Sequence, residues 1–264
     1  MLPLASKDNR HFKSAVRVRN GKDKGLIFVE GRRLAVEAVR SRLKIAEAFF
    51  SRSFAASNEN AGVLGAVEDR AGSSFELSDK LFDQLADTKT PQGIALICER
   101  PSHSLENLRI ERDGAMPLAV VLDRISNPGN LGAVLRTAEA AGASCVVTTM
   151  GSADAFAPAV LRGSMGAAFR LPIVEKRPLE EIAAWARSQG AALAATSAEG
   201  TKDYTEADLV RPLAIFFGSE AHGLDSAAVE WDETVRIPLE RDVESLNLAV
   251  SAGIILFETK RRRT

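Results

Sequence analysis

Apolar and polar positions in the first hundred residues alternate in short blocks, a pattern that is typical of a small α/β domain. Compact apolar runs predict strands at 26–30, 45–50 and 94–98, the last of them after a Thr-Pro-Gln-Gly turn. Gly31 opens a helical pattern of apolar residues, and Ser78 is a suitable N-cap for a second helix. Strands and helices are therefore mixed in this part of the chain.

The second half of the chain shows longer and more regularly alternating elements. Strands are predicted at 118–122, 144–149, 191–196, 213–217 and 235–239. Helices are predicted at 130–141, 178–188 and 246–259. Strands that alternate with helices imply a mostly parallel sheet covered on both faces. The predicted fold class is α/β, with the larger, parallel-sheet domain in the second half.

A polar stretch with two prolines separates the two patterns and has the character of an interdomain linker. We therefore predict four segments. They are a basic N-terminal arm at 1–24, a small α/β domain at 25–100, a linker at 101–117 and the larger α/β domain at 118–264.

The formal net charge is only −1, but the cations are unevenly distributed. Seven of them face two acidic residues near the start of the chain: Lys7, Arg10, Lys13, Arg17, Arg19, Lys22 and Lys24. A second basic cluster occupies 260–263. An RNA partner would explain both clusters, because Lys and Arg contacts with phosphates supply most sequence-independent nucleic-acid affinity. Solvated termini, or cations placed at a helix C-terminus, explain them equally well.

Composition excludes several classes of protein. Cys98 and Cys145 lie inside apolar strand-like runs, which predicts buried free thiols rather than a disulfide. The three histidines have no metal-ligand spacing with these cysteines, so no metal site is predicted. Apolar runs are of strand length rather than membrane length, and no signal segment is recognisable. We expect a soluble protein in the cytoplasm.

Ligands of parallel α/β sheets bind at the carboxyl ends of the strands, so the loops there are the candidate sites. Three loops stand out, at 123–132, 218–225 and 237–247. None carries a dinucleotide-binding G-x-G-x-x-G motif or the G-x-S-x-G elbow of serine hydrolases. In the second loop, Leu224 and Asp225 stand where a phosphate-binding loop requires Lys and Ser or Thr.

Most polar residues near these loops also have a structural explanation. Asn130 could cap its helix, and Ser245 could cap the final one. Arg136 lies off the apolar stripe of its helix and could be an exposed residue paired with Glu139. Asn247 is a poor helix former in a predicted first turn, which suggests another role.

Three segments, taken together and in order, resemble the motifs of the SpoU (TrmH-like) RNA 2′-O-methyltransferases of the SPOUT superfamily. They are NLGAVLRTAEAAG at 130–142, FGSEAHGL at 217–224, and IPL at 237–239 followed by ESLNLAVSAG at 244–253. The resemblance extends to FVEGRR at 28–33 and TPQG at 90–93, which are similar to the substrate-binding domain of members that modify ribosomal RNA. It covers nearly the whole chain.

The resemblance implies a catalytic domain at 118–264 with a deep trefoil knot, an exception to the usual absence of knots. It also implies an RNA substrate-binding domain at 25–100 and a homodimer. S-adenosylmethionine is the implied cofactor, with expected contacts at Thr196, Gly218, Ile237, Leu239 and Leu246. The residues expected around the reacting ribose are Asn130, Arg136, Glu220, Ser245 and Asn247.

The function implied is methylation of a ribose 2′-hydroxyl, expected in ribosomal RNA. Transfer RNA as the substrate would keep every motif, whereas a non-catalytic RNA-binding protein would leave the three loops without a purpose. Arginine is effectively always protonated in proteins. We therefore expect Arg136 to bind a phosphate and orient the hydroxyl rather than to act as a base, with Glu220, Ser245 and Asn247 completing the polar shell.

Overall fold

The computed structural model describes residues 1–111, 114, 116–219, 223–224, 229–241 and 243–263. The chain divides into two compact units. The first comprises Met1–Pro101 and Phe156–Arg170, and the second comprises Ser102–Ala155 and Leu171–Thr264. Both units are mixtures of helices and strands, and the fold class predicted from the pattern is confirmed.

The first unit contains a five-stranded mixed sheet with helices. Its elements up to residue 101 are β1 (Leu2–Leu4), α1 (Arg10–Arg19), β2 (Leu26–Glu30), α2 (Arg32–Arg40), β3 (Ile45–Ser51), α3 (Arg52–Ala56), a 3-10 helix (Asn58–Asn60), α4 (Ala61–Glu68), β4 (Ala71–Leu77), α5 (Asp79–Leu85) and β5 (Ile94–Glu99). The strand order is β1-β4-β3-β5-β2. Strands β1, β4 and β3 are parallel, and β5 is antiparallel to both β3 and β2.

The predicted N-terminal arm is wrong, because residues 1–24 are part of the first unit. Strand β1 pairs with β4, and α1 buries Phe12, Ala15 and Val18 in the core. Asn9 caps the helix by accepting a hydrogen bond from the backbone N–H of His11 at 2.8 Å. Basic residues occupy the solvent side of α1. The segment is therefore an amphipathic helix, and its many charged residues led to the prediction of an arm.

The second unit contains a seven-stranded sheet in which all strands are parallel. Its elements are β6 (Leu118–Leu122), α6 (Pro128–Ala141), β7 (Cys145–Thr149), β8 (Ile173–Arg177), α9 (Leu179–Ser188), β9 (Ala192–Thr196), β10 (Lys202–Asp203), β11 (Leu213–Phe217), β12 (Glu233–Arg236) and α10 (Leu248–Arg263). The strand order is β10-β12-β9-β11-β6-β7-β8. Every residue of β6, β7 and β11 is buried, as expected for strands covered on both faces.

The predicted linker at 101–117 is also wrong. Leu105, Leu108 and Ile110 are buried in the same hydrophobic cluster as Val121 and other residues of the second unit's sheet. The segment was predicted as a linker because most of its residues are polar, but these three apolar residues pack it into the core of the second unit. The structure therefore assigns the described part of this stretch, from Ser102 onward, to the second unit.

Residues 156–170 lie between β7 and β8 in sequence but belong to the first unit. They form α7 (Pro158–Ser164) and α8 (Ala167–Arg170), and neither helix was predicted. Arg162 pairs with Asp87 at 2.8 Å, and Arg170 pairs with Glu37. These ion pairs hold the segment within the first unit, so the predicted boundary at residue 118 does not separate the two units cleanly.

The two cysteines are free and buried, as the sequence predicts. Cys98 lies in β5 of the first sheet and Cys145 lies in β7 of the second. Burial raises the pKa of both thiols to about 12. Among the described residues, no helix has the length and apolar character needed to cross a membrane. The deep trefoil knot implied by the resemblance stays a prediction.

Candidate active site

The carboxyl edge of the second sheet contains the point at which strand order reverses. From β6 the chain moves to β7 and β8 on one side, and then returns to β9 and β11 on the other. The loops that follow β6 and β11 therefore diverge and leave a crevice, which is the usual ligand position in open α/β sheets.

A cavity of about 310 Å³ lies at this edge, between the loops after β9, β11 and β12 and the start of α10. All five residues that the resemblance assigns to the cofactor line it: Thr196, Gly218, Ile237, Leu239 and Leu246. Ser197 and Glu199 also line the cavity, although neither was predicted from the sequence. The signal was available, because both follow directly after β9, where the same carboxyl-end rule applies.

Gly218 permits an unusually tight turn at the wall of this cavity. A Cβ atom at this position would lie 2.2 Å from the carbonyl carbon of Gly223 and 2.4 Å from the nitrogen of Leu224. The N–H of Gly223 donates a hydrogen bond to the Ser219 carbonyl oxygen at 2.9 Å, which closes the turn. Any side chain at 218 would clash with this backbone, which forms part of the cavity wall.

The cavity lining fits S-adenosylmethionine, which combines an adenine ring, a sulfonium cation and polar groups. Ile237, Leu239 and Leu246 are half-buried apolar side chains that can cover the ring. Ser197 and the acidic Glu199 supply polar groups on the same wall. Ligand pockets are mostly apolar with a few placed polar groups, and their volumes start at about 300 Å³.

A smaller cavity of about 110 Å³ adjoins the first and shares Ser219 and Leu248 with it. Asn130 lines this second cavity, and its Oδ1 accepts a hydrogen bond from Nδ2 of Asn247 at 3.2 Å. Ser245 lines the larger cavity. The structure thus brings Asn130 and Asn247 together beside the smaller cavity, and places Ser245 in the wall of the larger one.

The helix caps differ from those considered in the sequence. Helix α6 is capped by Asn127, whose Oδ1 accepts from the N–H groups of Gly129 and Asn130 at 2.8 and 3.2 Å. Helix α10 is capped by Asn247, which accepts from the Ala249 N–H at 2.9 Å. Asn130 and Ser245 are therefore not caps.

Arg136 does not lie beside Asn130 and Asn247 within one chain. It is exposed on α6, six residues beyond Asn130, which places it about 9 Å further along the helix axis. Glu220, another predicted ribose neighbour, lies outside the described residues.

Comparison with known proteins places this geometry in a family. The model of the SpoU rRNA Methylase family matches residues 117–257, and that of the MRM3-like substrate binding domain matches residues 11–96. The chain belongs to the SpoU rRNA methylase family. The resemblance seen in the three motifs is thereby confirmed.

Relatives of this SpoU chain carry the names of ribosomal RNA methyltransferases. It is 33% identical to the 23S rRNA (guanosine(2553)-2′-O)-methyltransferase RlmP of Bacillus subtilis, over 70% of this chain and 72% of the relative. The AdoMet-bound rRNA methyltransferase of Sinorhizobium meliloti is similar in structure, with a TM-score of 0.86, 29% identity and coverage of 99% of this chain and 98% of that one. AviRb of Streptomyces viridochromogenes, solved with AdoMet, gives a TM-score of 0.85 with 28% identity, covering 97% of this chain and 98% of that one.

The basic cluster at the end of α10 in this SpoU chain has a structural role. The guanidinium of Arg263 donates to the carbonyl oxygens of Leu209 and Arg211 at 2.7 and 2.6 Å, and to that of Pro117 at 3.1 Å. Partial burial lowers the pKa of Arg263 to about 10. Lys260 donates to the Ala140 carbonyl oxygen at 2.9 Å. These contacts favour cohesion of the unit over RNA binding as the purpose of the cluster.

Proposed function

We propose that this SpoU protein transfers a methyl group from S-adenosylmethionine to the 2′-hydroxyl of a ribose in ribosomal RNA. The observation that carries the proposal is the pair of adjoining cavities. The larger one is lined by all five expected cofactor residues, and the smaller one is lined by Asn130, which is hydrogen-bonded to Asn247. A non-catalytic RNA-binding protein would have no use for this arrangement.

Bound S-adenosylmethionine would supply an electrophilic methyl group on a sulfonium. The contribution of the protein is then to align the hydroxyl oxygen with that methyl group, because orientation alone can remove a large part of a reaction barrier. The hydrogen bond between Asn130 and Asn247 holds two amides beside the smaller cavity, and we assign to them the contact with the ribose. Ser245 would complete this polar shell from the side of the larger cavity.

Arg136 is assigned to the RNA backbone. Its exposed position and its distance along α6 from Asn130 suit a phosphate next to the reacting nucleotide better than the hydroxyl itself. A guanidinium binds phosphate through a planar fork and does not act readily as a base at neutral pH. The hydroxyl proton would then be lost late, to solvent water, as the new oxygen–carbon bond forms and the carbon–sulfur bond to the methyl group breaks.

The first unit is assigned to RNA binding. The matched substrate-binding family model covers most of its first 101 residues. Helix α1 exposes Arg10, Lys13 and Arg17 at spacings of three and four residues, which places them on one helix face. Such a stripe suits successive phosphates. Ribosomal RNA is favoured over transfer RNA because RlmP is named for 23S ribosomal RNA.

A homodimer is also proposed. Helix α10 carries Val250 and Phe257 at 51% and 47% exposure, seven residues apart and so on one face, with half-buried Ile254 between them. An exposed apolar stripe on a helix is typical of a surface covered by a partner. A second copy of the chain would cover it symmetrically.

Methyl transfer to protein-free large-subunit ribosomal RNA tests the proposal, with cofactor labelled in the methyl group and binding measured by calorimetry. Label should appear in nucleosides that resist alkaline cleavage, as ribose 2′-O-methylation requires. Asn130→Ala should lower the single-turnover rate by about 100-fold and leave cofactor affinity unchanged. Thr137→Ala on the same helix is the matched control and should behave normally. Cofactor binding without transfer to any RNA would contradict the proposal.

A further inference from the structure

Arg124, the second residue after β6, has a backbone conformation that is rare for its type. Its φ is +55°, in the left-handed region that long side chains seldom adopt. It lines the smaller cavity together with Asn130 and Ser219. Strained backbone at a cavity costs stability and is commonly retained where it serves function.

A network of hydrogen bonds holds Arg124 in place. Its N–H donates to Oγ1 of Thr149 at 2.9 Å, and its Nε donates to Oδ2 of Asp123 at 3.0 Å. The Thr149 hydroxyl in turn donates to Oδ1 of Asp123 at 2.7 Å, and that carboxylate is buried. Both Asp123 oxygens are thus committed to orienting the segment that begins with Arg124.

Two further contacts fix the direction of the side chain. Nη2 of Arg124 donates to the Gly223 carbonyl oxygen at 3.3 Å, in the loop after β11. The stem passes close to Gly151, where an added Cβ would lie 3.5 Å from Cγ of Arg124. The guanidinium is therefore held before any ligand arrives, which reduces the entropy lost on binding.

The guanidinium keeps binding capacity toward solvent. It has five N–H donors, and the bonds to Asp123 and Gly223 use two of them. The side chain is 41% exposed although its partner Asp123 is only 5% exposed. A buried carboxylate that orients a half-exposed guanidinium is a suitable arrangement for gripping an anion.

We propose that Arg124 binds a phosphodiester oxygen of the RNA next to the reacting ribose. The proposal rests on the proposed function, and it adds a substrate contact that the motif resemblance does not assign. The smaller cavity joins the cofactor cavity at Ser219 and Leu248, so a phosphate held by Arg124 brings the attached ribose to Asn130. Arg124 is preorganised by Asp123, whereas Arg136 is an exposed residue on a helix surface.

A purely structural role makes a different prediction. If Arg124 only ties the loop after β6 to the loop after β11, its loss should disturb the wall of the larger cavity that Gly223 also lines. Cofactor affinity would then fall. A phosphate contact instead affects RNA affinity and its dependence on salt, because each neutralised phosphate releases counterions.

The test compares Arg124→Gln and Arg124→Lys with wild type, and uses Arg187→Gln as the control. Arg187 has a similar exposure of 44%, is paired with Asp232, and lines neither cavity. Binding of protein-free ribosomal RNA is measured over a range of salt, together with cofactor affinity and single-turnover methyl transfer. Arg124→Gln should reduce the slope of log affinity against log salt by about 0.7 to 0.9, the value for one phosphate.

The same variant should weaken RNA binding by about 10-fold and slow transfer at saturating RNA, with cofactor affinity changed less than twofold. Lys should recover the salt slope but not the transfer rate, because an ammonium lacks the planar fork. An unchanged salt slope, with or without weaker cofactor binding, would overturn the proposal. If wild type methylates RNA and Arg124→Gln matches it, only this inference fails. If wild type transfers no methyl group, the proposed function fails, while the salt slope still decides on the phosphate contact.

Discussion

Gly218 lines the proposed cofactor cavity, and its backbone lies so close to residues 223 and 224 that only glycine fits there. Gly218→Ala would place a Cβ within 2.5 Å of backbone atoms of residues 223 and 224, which cannot move as a flexible side chain does. We expect the affinity for S-adenosylmethionine to fall by up to about 100-fold, since overpacking of this kind typically costs about 1–3 kcal/mol. Calorimetry measures the loss.

Gly65→Ala is the matched control for this change. Gly65 lies in α4, and a Cβ there would meet nothing within 4 Å. It should raise the free energy of unfolding by about 0.5–1 kcal/mol and leave cofactor binding as it was. Normal cofactor affinity in Gly218→Ala would show that the tight turn does not shape the site.

Arg136 separates a functional from a structural interpretation at a single position. As a phosphate-binding residue, its replacement by Ala should lower single-turnover transfer by orders of magnitude, because misplacement of a reacting group by about 1 Å costs roughly 100-fold. Lys should rescue poorly, and cofactor affinity should not change. As a plain exposed residue, Arg136→Ala would cost at most about 0.5 kcal/mol and keep its activity. Near-normal transfer would remove it from the site.

At the scale of elements, α1 carries the main prediction for RNA binding. Changing Arg10, Lys13 and Arg17 together to Gln should weaken RNA binding and reduce its salt dependence, while cofactor affinity stays constant. Filter binding at several salt concentrations measures this. Deleting residues 1–24 would not be a clean test, because Phe12 and Val18 belong to the core. An unchanged salt slope would make the stripe an ordinary solvated helix face.

Elements that are buried on both faces were predictable from the sequence. Strands β6 and β11 are continuous apolar runs of five residues, and their predicted bounds match those in the structure. Strand β4 was missed because Ser73 and Ser74 interrupt its apolar pattern, and β8 because Lys176 and Arg177 end it. Half-buried strands of this kind depend on neighbours that are distant in sequence.

Only part of the site was predicted, because some of its residues also depend on contacts that are distant in sequence. The carboxyl-end rule and the motifs pointed to five residues that line the larger cavity, but not to Ser197 and Glu199, which line it as well. They did not reveal Thr149, which supports Asp123 from the neighbouring strand, because its contribution depends on tertiary contacts. Asn247 was recognised as unusual in a helix, but its position as the cap depended on where α10 begins.

At the scale of the whole molecule, the discontinuous first unit could not be read from local patterns. The segment 156–170 lies between β7 and β8 in sequence, and both of these strands belong to the second unit. The segment itself belongs to the first unit. Its placement depends on the pairing of Arg162 with Asp87 and on the close approach of Gly166 to Glu37. Neither contact has a signature in sequence spacing.

Assembly is the second property at this scale. Sedimentation at micromolar concentration should give the mass of a dimer, because α10 exposes an apolar stripe that a second copy would cover. Val250→Asp together with Phe257→Asp should shift the protein toward the monomer while each chain stays folded. The control is Val210→Asp, at a similarly exposed residue outside α10. A monomeric wild type would reject the dimer.

The most direct test is a competition between two kinds of RNA substrate. Wild-type protein and labelled cofactor are incubated with a mixture of protein-free ribosomal RNA and transfer RNA, and the labelled nucleosides are identified after complete digestion. Label is expected in ribosomal RNA, on the ribose 2′-oxygen of one nucleotide, and it should be lost in Asn130→Ala. Label in transfer RNA, or on a base in place of the ribose, would contradict this expectation.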